Sequence, residues 1–210
     1  MTDFAAAIKR PFTNGKILLI GGLLSIVPIA NFIPLGYALK AGLKPDAKLP
    51  GWVDLGGLLK TGFFAFLGSL LYMLPGLIGI IVSVIAAIGT SISSNSSPSL
   101  WTIFLFILSL LYLFVAQYLT GAALLHYAAE DRFSAIFEFK YIFAVAFTKA
   151  YLLATLAAFG WSFLLGLLAV FPILILYITI IGPLILQGIL NFAISITIFT
   201  LYGQIYKEVL

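Results

Sequence analysis

The chain has no cysteine, and it carries only one histidine and two methionines among its 210 residues. The absence of cysteine excludes disulfides, thiolate metal sites and thiol nucleophiles. One histidine and two methionines are too few ligands for a typical transition-metal centre. We therefore expect neither a metal nor a cofactor, and no cysteine-based catalysis.

Charge is also scarce, because only 9% of the residues are charged whereas 63% are hydrophobic. Asp, Glu, Lys and Arg are all missing from residues 17–39, 61–129 and 150–206, which are runs of 23, 69 and 57 residues. One crossing of a hydrocarbon core of about 30 Å takes about 20 apolar helical residues. Together with a mean hydropathy of +1.20, the runs predict a multi-pass membrane protein with two crossings in each long run.

Basic residues outnumber acidic ones by 11 to 7, but they lie in short segments beside the apolar runs. Basic residues in that position orient a membrane protein, with the positive segments on the cytoplasmic side. We therefore attribute the charge to topology and expect no nucleic-acid partner. Segments 40–60 and 128–149 and the C-terminus should be cytoplasmic in a cell membrane.

The first long run is divided by the stretch SISSNSSPS at residues 91–99. Ser, Asn and Pro favour turns over helix interiors, so this stretch is predicted to be a loop on the outer side. The helices on either side, at about 62–89 and 100–127, would form a first transmembrane hairpin over 62–127.

The second long run is divided less clearly, with Pro172 and the pair at 182–183 as candidate helix breaks. Proline removes a helical hydrogen bond, so a second hairpin over 150–204 is predicted. The predicted fold class is all-α, a polytopic helical membrane protein that forms a single integral membrane domain over residues 1–210.

The first apolar run, 17–39, is interrupted by Pro28 and Pro34 on either side of Asn31. It is either one kinked crossing or a broken segment that enters the membrane and returns. Return to the same side would keep all 11 basic residues cytoplasmic, as the positive-inside tendency favours. We expect the broken, re-entrant form, with the N-terminus in the cytoplasm like the C-terminus.

Three segments combine charged residues with apolar residues at helical spacing: 1–16, 52–63 and 131–147. An amphipathic helix of this kind lies in the headgroup layer with its apolar face toward the hydrocarbon. Interfacial helices are therefore predicted at all three places. Binding of these segments to partner helices is the alternative.

Gln187, Asn191 and Ser195 follow one another at four-residue steps and form a polar stripe on one face of the last predicted span. Gln117, in the preceding hairpin, is placed to face this stripe. Amides buried in a membrane either bond across helices or line a path for a polar ligand. Both interpretations stay open.

His126 and Glu130 lie four residues apart at the end of a predicted span, so their side chains share a helix face. We favour an interfacial polar pair, because such residues belong at headgroup depth. A pH-sensing or headgroup-binding pair is the alternative. An enzyme acting on lipid headgroups through these two residues and Asp131 would lack an activated nucleophile, so no enzyme is expected.

Several stretches resemble a known family in order and spacing, above all NFIPLGYAL at 31–39 and AAEDRFSAIFEF at 128–139. With DFAAAIKRPF, LPGWVDLGGLLKTG and LYGQIYKE, they are similar to the archaeal and bacterial multi-pass family named domain of unknown function 4013. The resemblance covers nearly the whole chain and implies a helical integral membrane protein. It implies no activity, cofactor or catalytic residue.

Apart from His126 at the end of one helix, the predicted spans contain no charged or imidazole side chain, which argues against ion-coupled transport through a buried carboxylate. We expect a non-enzymatic integral membrane protein, an accessory or scaffold subunit that associates with other membrane proteins, or with itself, in the lipid bilayer. The alternative is a facilitator or permease-like carrier for a small or lipophilic molecule, which would use the stripe of Gln187 and Asn191.

Overall fold

The computed structural model describes residues 2–94, 97–177, 179 and 181–209. Within these residues the chain forms eight α-helices: α1 Phe4–Lys9, α2 Gly15–Ile26, α3 Phe32–Gly42, α4 Leu55–Ser94, α5 Leu100–Glu130, α6 Phe139–Ala146, α7 Lys149–Leu176 and α8 Ile181–Val209. Two short 3-10 helices, Arg10–Thr13 and Phe133–Phe137, lead into α2 and α6.

Four of these helices, α4, α5, α7 and α8, are long and apolar enough to cross a membrane. Their charged residues lie near the helix ends, as Lys60 does in α4, Glu130 in α5 and Lys149 in α7. A helix satisfies its backbone polar groups internally, so the apolar centres of all four suit a hydrocarbon environment.

α4 is longer than predicted. It does not end near residue 89 but continues through the serines to Ser94. The hydroxyl of Ser91 donates to the carbonyl of Ala87 at 2.9 Å, so this serine is satisfied on its own helix. The rest of the predicted loop is non-helical at 97–99, and residues 95 and 96 lie outside the described part.

Of the two candidate breaks between the last two long helices, Pro172 is wrong. α7 runs through Pro172 and ends at Leu176, because a proline in a helix removes one hydrogen bond without always ending it. Pro183, the other candidate, lies in the first turn of α8, where the amide that proline lacks would be unpaired anyway. The break therefore falls between these two prolines.

α8 is the central helix of the fold, since α2, α3, α5 and α7 all pack against it. Gly22 of α2 lies against Gly188, and Gly42 of α3 lies against Gly203. A Cβ at either α8 glycine would overlap the facing carbonyl oxygen, so glycine permits the close approach of both short helices. By contrast, α4, α5 and α7 expose many apolar side chains on the outside.

The first apolar run forms two short helices, α2 and α3, rather than one. Val27 leaves the helical conformation with φ of −83° and ψ of 121°, as expected for a residue before proline. Ile29 then adopts φ of 70°, which is rare for a β-branched residue. With 12 and 11 residues, the helices are about 18 and 16 Å long, and each is too short to cross about 30 Å of hydrocarbon.

A nearly buried arginine joins the two ends of this helix pair. The side chain of Arg10 is 7% exposed, and Nη1 donates to the carbonyl of Ala41 at 3.1 Å and to Thr200 Oγ1 at 2.8 Å. Nη2 donates to the carbonyls of Lys44 and Ala47 at 2.8 and 3.1 Å. We call this arrangement the Arg10 clasp. It adds a charged donor to the carbonyls of Ala41 and Lys44, which also accept from the amides of Lys44 and Ala47 at 3.2 Å, and so links the residues before α2 to the end of α3 and to the connection after it.

The clasp fixes the direction of the chain around α8. Arg10, just before α2, contacts Thr200, whereas Gly22 near the end of α2 contacts Gly188. α2 therefore runs antiparallel to α8, and α3 returns beside α8 to the level at which α2 began. The beginning of α2 and the end of α3 lie side by side.

The three predicted amphipathic segments differ in the structure. The first forms α1 and a 3-10 helix, and the third forms a 3-10 helix and α6. In the second, Trp52 stacks on Tyr37 with ring centroids 4.3 Å apart and α4 begins directly at Leu55, so no separate helix forms there. Ile136 of the third segment is fully buried by other residues of the chain, which periodicity alone could not distinguish from burial in lipid.

The clasp predicts that Arg10→Lys destabilises the protein by about 2–4 kcal/mol, because one ammonium nitrogen cannot reach four acceptors arranged around two guanidinium nitrogens. The free energy of unfolding in detergent measures the loss. The control is Arg132→Lys, whose side chain is 55% exposed and should cost less than about 1 kcal/mol. An Arg10→Lys protein as stable as the wild type would contradict the clasp.

Candidate functional site

The ends of several helices meet at one end of the bundle, which we call the charged end. Tyr206, near the end of α8, contacts His126 near the end of α5. The next residue, Lys207, donates to Asp46 Oδ2 at 2.8 Å, in the connection between α3 and α4. The Arg10 clasp lies at the same end, because its α8 partner is only two turns before these residues.

His126 is the centre of a polar cluster at the charged end. Its side chain is 5% exposed, Nδ1 lies 2.8 Å from the hydroxyl of Tyr206, and Nε2 lies 3.0 Å from Glu138 Oε2. Because an ionised carboxylate only accepts, Nε2 carries the proton, and in the neutral ring Nδ1 accepts from Tyr206. The ring also stacks on Tyr141 with centroids 4.9 Å apart. The cluster ties α5, α6 and α8 together.

Glu130 does not occupy the position beside His126 that helical spacing assigned to it. The structure places Glu138 on the imidazole, while Glu130 accepts from Arg132 Nη2 at 3.1 Å. α5 ends at Glu130, and Asp131 follows with φ of 52°, so the chain turns back and returns Glu138 to the ring. Spacing along a helix could not reveal a contact that forms after the helix has ended.

A cavity of about 460 Å³ adjoins the imidazole and is lined by His126, Glu130, Arg132, Glu138 and Tyr141, among others. The hydrogen bond from His126 lowers the pKa of Glu138 below its ordinary value of 4.5, and Arg132 acts in the same direction. Hydroxyl, imidazole and carboxylate form a continuous chain of hydrogen bonds, in which each bond strengthens its neighbour. Among the residues that the structure describes, no three His, Asp or Glu side chains form a group that could hold a metal.

The polar stripe of α8 lies on the outside of the chain. Gln187 Nε2 donates to Asn191 Oδ1 at 3.3 Å, and the hydroxyl of Ser195 donates to the carbonyl of Asn191 at 2.8 Å. Gln187 and Asn191 are both exposed, and so is Gln117 on α5. These amides thus make no bond to another helix within the described chain.

The contacts of α5 with α8 show where the stripe faces. Gly121 lies against the ring of Tyr202, and Gln117 is one turn before Gly121 on the same face of α5. Ser195 is two turns before Tyr202 on the same face of α8. Gln117 and Asn191 are nevertheless exposed, so the described chain leaves both side chains uncovered. We call the surface formed by Gln117 and the α8 stripe the amide crevice.

Tyrosines connect the helices next to the amide crevice. The hydroxyl of Tyr151 donates to the carbonyl of Tyr118 at 2.8 Å, and the hydroxyl of Tyr118 donates to the carbonyl of Ala146 at 2.6 Å. The rings of Tyr151 and Tyr202 stack with centroids 4.6 Å apart. The hydrogen bond of Tyr151 therefore joins α7 to α5, and the stacked rings join α7 to α8.

Four long apolar helices with charges at their ends define a multi-pass helical membrane protein. The chain belongs to the family described as "Protein of unknown function (DUF4013)", whose model matches residues 20–178. The matched part extends from α2 to the end of α7, so it contains His126 and Glu138 but neither Arg10 nor the α8 stripe. No curated protein and no solved structure matches the chain.

Arg10, Glu138 and Tyr206 are not among the site residues that the sequence predicts. Their contacts join positions 190, 12 and 80 residues apart, which helical spacing cannot relate. One signal was available for Arg10. Among 11 basic residues, arginine stands only here and at Arg132, and a guanidinium is the group suited to several acceptors at once.

The lowered pKa of Glu138 predicts a pH-dependent effect of Glu138→Gln. The carboxylate stabilises the fold above its ordinary pKa of 4.5, and this contribution is lost as the pH falls through the lower pKa of the folded state. Thermal unfolding in detergent should show a less stable variant at about pH 6 and a shrinking difference from wild type below 4.5.

The matched control is Glu130→Gln, since Glu130 bonds the same arginine but is exposed and does not touch His126. It should destabilise less than Glu138→Gln. A difference between Glu138→Gln and wild type that stays constant across this pH range would contradict the role given to the carboxylate.

Proposed function

We propose that the protein is a non-enzymatic accessory or scaffold subunit, which binds a transmembrane helix of another membrane protein, or of a second copy, in the amide crevice. The observation that carries this proposal is the exposure of Gln187 and Asn191 on a helix long and apolar enough to cross a membrane. Among the described residues, the side-chain amides of Gln187 and Asn191 bond only to each other.

Hydrocarbon makes this exposure costly. Each side-chain amide offers two donor hydrogens and an acceptor oxygen, and one bond between two amides leaves most of these unpaired. Polar groups in a bilayer without partners are unfavourable by several kcal/mol. A neighbouring helix with hydroxyl or amide side chains would satisfy them, as polar contacts between transmembrane helices do.

Exposed apolar side chains on α5 and α7 support the same proposal less specifically. Phe114 on α5 is 75% exposed, and Phe159 and Phe163 on α7 are 72% and 67% exposed. Lipid alone would cover such side chains favourably, so they do not require a protein partner. The amides therefore decide where a partner helix is needed.

For the membrane topology, we infer that α2 and α3 form a re-entrant pair and that both termini lie in the cytoplasm of a cell membrane. The Arg10 clasp supports this arrangement, because it holds the beginning of α2 against the end of α3. A cationic guanidinium with its neighbouring lysines belongs at an aqueous surface. The pair would then reach about 18 Å into the membrane, roughly its middle.

The chain has no cysteine of its own, so topology can be mapped with single introduced cysteines and a membrane-impermeant thiol reagent. In intact cells, Ser97→Cys should be labelled and Thr2→Cys should be labelled only after the cells are opened. Labelling of Thr2→Cys from outside would show that the first apolar segment crosses the membrane.

A photo-crosslinking residue at Ser195 tests the accessory function directly. In native membranes it should give a defined adduct with another membrane protein, or with a second copy, and the double substitution Gln187→Leu with Asn191→Leu should abolish that adduct. The loss would not reflect unfolding, because the one amide bond removed contributes about 1 kcal/mol or less.

The matched control changes two exposed apolar residues of α4, Val82→Leu with Ile85→Leu, and should leave the adduct intact. Adducts with lipid only would contradict the accessory function. They would favour the alternative carrier for a small or lipophilic molecule, in which the amides line its path. If the protein were such a carrier, the Gln187→Leu/Asn191→Leu variant would have to lose transport.

A further inference from the structure

A second polar cavity lies at the charged end, between α1, the start of α2 and the connection from α3 to α4. Its volume is about 660 Å³, and its lining includes Lys9, Arg10, Lys48, Asp3 and Asp46. That volume lies within the range of about 300–1,000 Å³ typical of small-molecule sites. This cavity is lined by charged side chains, whereas the amide crevice is lined by neutral ones. The two sites would therefore bind different ligands.

Among the described residues, no anionic group contacts the arginine at this cavity. The four hydrogen bonds of Arg10 all go to neutral oxygens, three carbonyls and one hydroxyl. Burial lowers the pKa of Arg10 below its ordinary 12.5, and the carboxylate of Asp46 opposes this only from a distance. An enclosed cation without a counter-charge is unfavourable, and a nearby anion would compensate it.

The two carboxylates of the cavity are already engaged elsewhere. Asp46 accepts from Lys207 at 2.8 Å, and that bond lowers the pKa of Asp46. Asp3 Oδ1 accepts from the amide of Ala6 at 2.9 Å, as the N-cap of α1. They offset the positive charge of the lining only in part.

The two lysines are not engaged. Lys9 and Lys48 are exposed, and neither ammonium group makes a hydrogen bond or ion pair within residues 2–94, 97–177, 179 and 181–209. With Arg10 they place three cations around one cavity. Ammonium and guanidinium groups arranged in this way bind phosphate through charge-assisted hydrogen bonds.

We propose that this cavity binds a phosphate-bearing anion and that its source is the headgroup of an anionic phospholipid. The position supports a lipid source, because Asn14 in the lining directly precedes the apolar helix α2. Anionic lipids are concentrated in the cytoplasmic leaflet, where they attract basic segments. A bound headgroup supplies the counter-charge that Arg10 lacks and stabilises the clasp beside it.

The test uses the full chain in neutral detergent, titrated with phosphatidylglycerol or with phosphatidylcholine while thermal unfolding is followed. A ligand that binds only the folded state raises the unfolding temperature, so phosphatidylglycerol should raise it more than phosphatidylcholine. Lys9→Gln with Lys48→Gln should increase the half-saturating concentration of phosphatidylglycerol about tenfold or more. Arg10 is left unchanged, because its substitution would break the clasp.

The matched control, Lys60→Gln with Lys149→Gln, removes the same charge from α4 and α7 and should leave the half-saturating concentration within about twofold of wild type. A parallel titration with inorganic phosphate separates the two sources. The lipid source would be overturned if inorganic phosphate raised the unfolding temperature as much as phosphatidylglycerol does, and if that rise were lost in the Lys9→Gln/Lys48→Gln variant. If both double variants had the same half-saturating concentration of phosphatidylglycerol, the proposed site would be overturned.

Discussion

The fold depends on one nearly buried guanidinium. Arg10 bonds to carbonyls at and beyond the end of α3 and to Thr200, in the part of α8 near the charged end. Arg10 gives the carbonyls of Ala41 and Lys44 a second donor beside the amides of Lys44 and Ala47, and hydrogen bonds from a charged group contribute about 1.5–3 kcal/mol each. The clasp therefore holds both ends of a broken apolar segment at one level and lets α2 and α3 pack closely on the central helix.

The exclusion of unpaired polar groups from hydrocarbon explains how His126 and Lys149 are arranged. His126 is enclosed, but each ring nitrogen has a partner. Lys149 begins a helix and remains exposed. Gln187 and Asn191 are the contrast, since they are exposed well inside an apolar helix. This is why the proposed function is based on the amide crevice rather than on the charged end.

Much of the architecture could be predicted from the sequence, because uncharged runs and helix breakers act locally. The runs located the four long helices, and the prolines around Asn31 indicated where the first apolar segment breaks. The site contacts could not be predicted in this way. Helical spacing paired His126 with Glu130, yet a turn at Asp131 brings Glu138 to the ring. Contacts formed after a helix ends depend on tertiary packing, which a periodic pattern does not contain.

The most direct test of the account is the membrane depth of the first apolar segment, measured by spin-label collision with oxygen and with a water-soluble nickel complex. Labels would be placed singly through Thr13→Cys, Ile29→Cys and Leu43→Cys in the full chain in lipid bilayers. The account predicts a deep label at position 29 and two shallow labels at 13 and 43 on the same surface. Labels at 13 and 43 on opposite surfaces would contradict it.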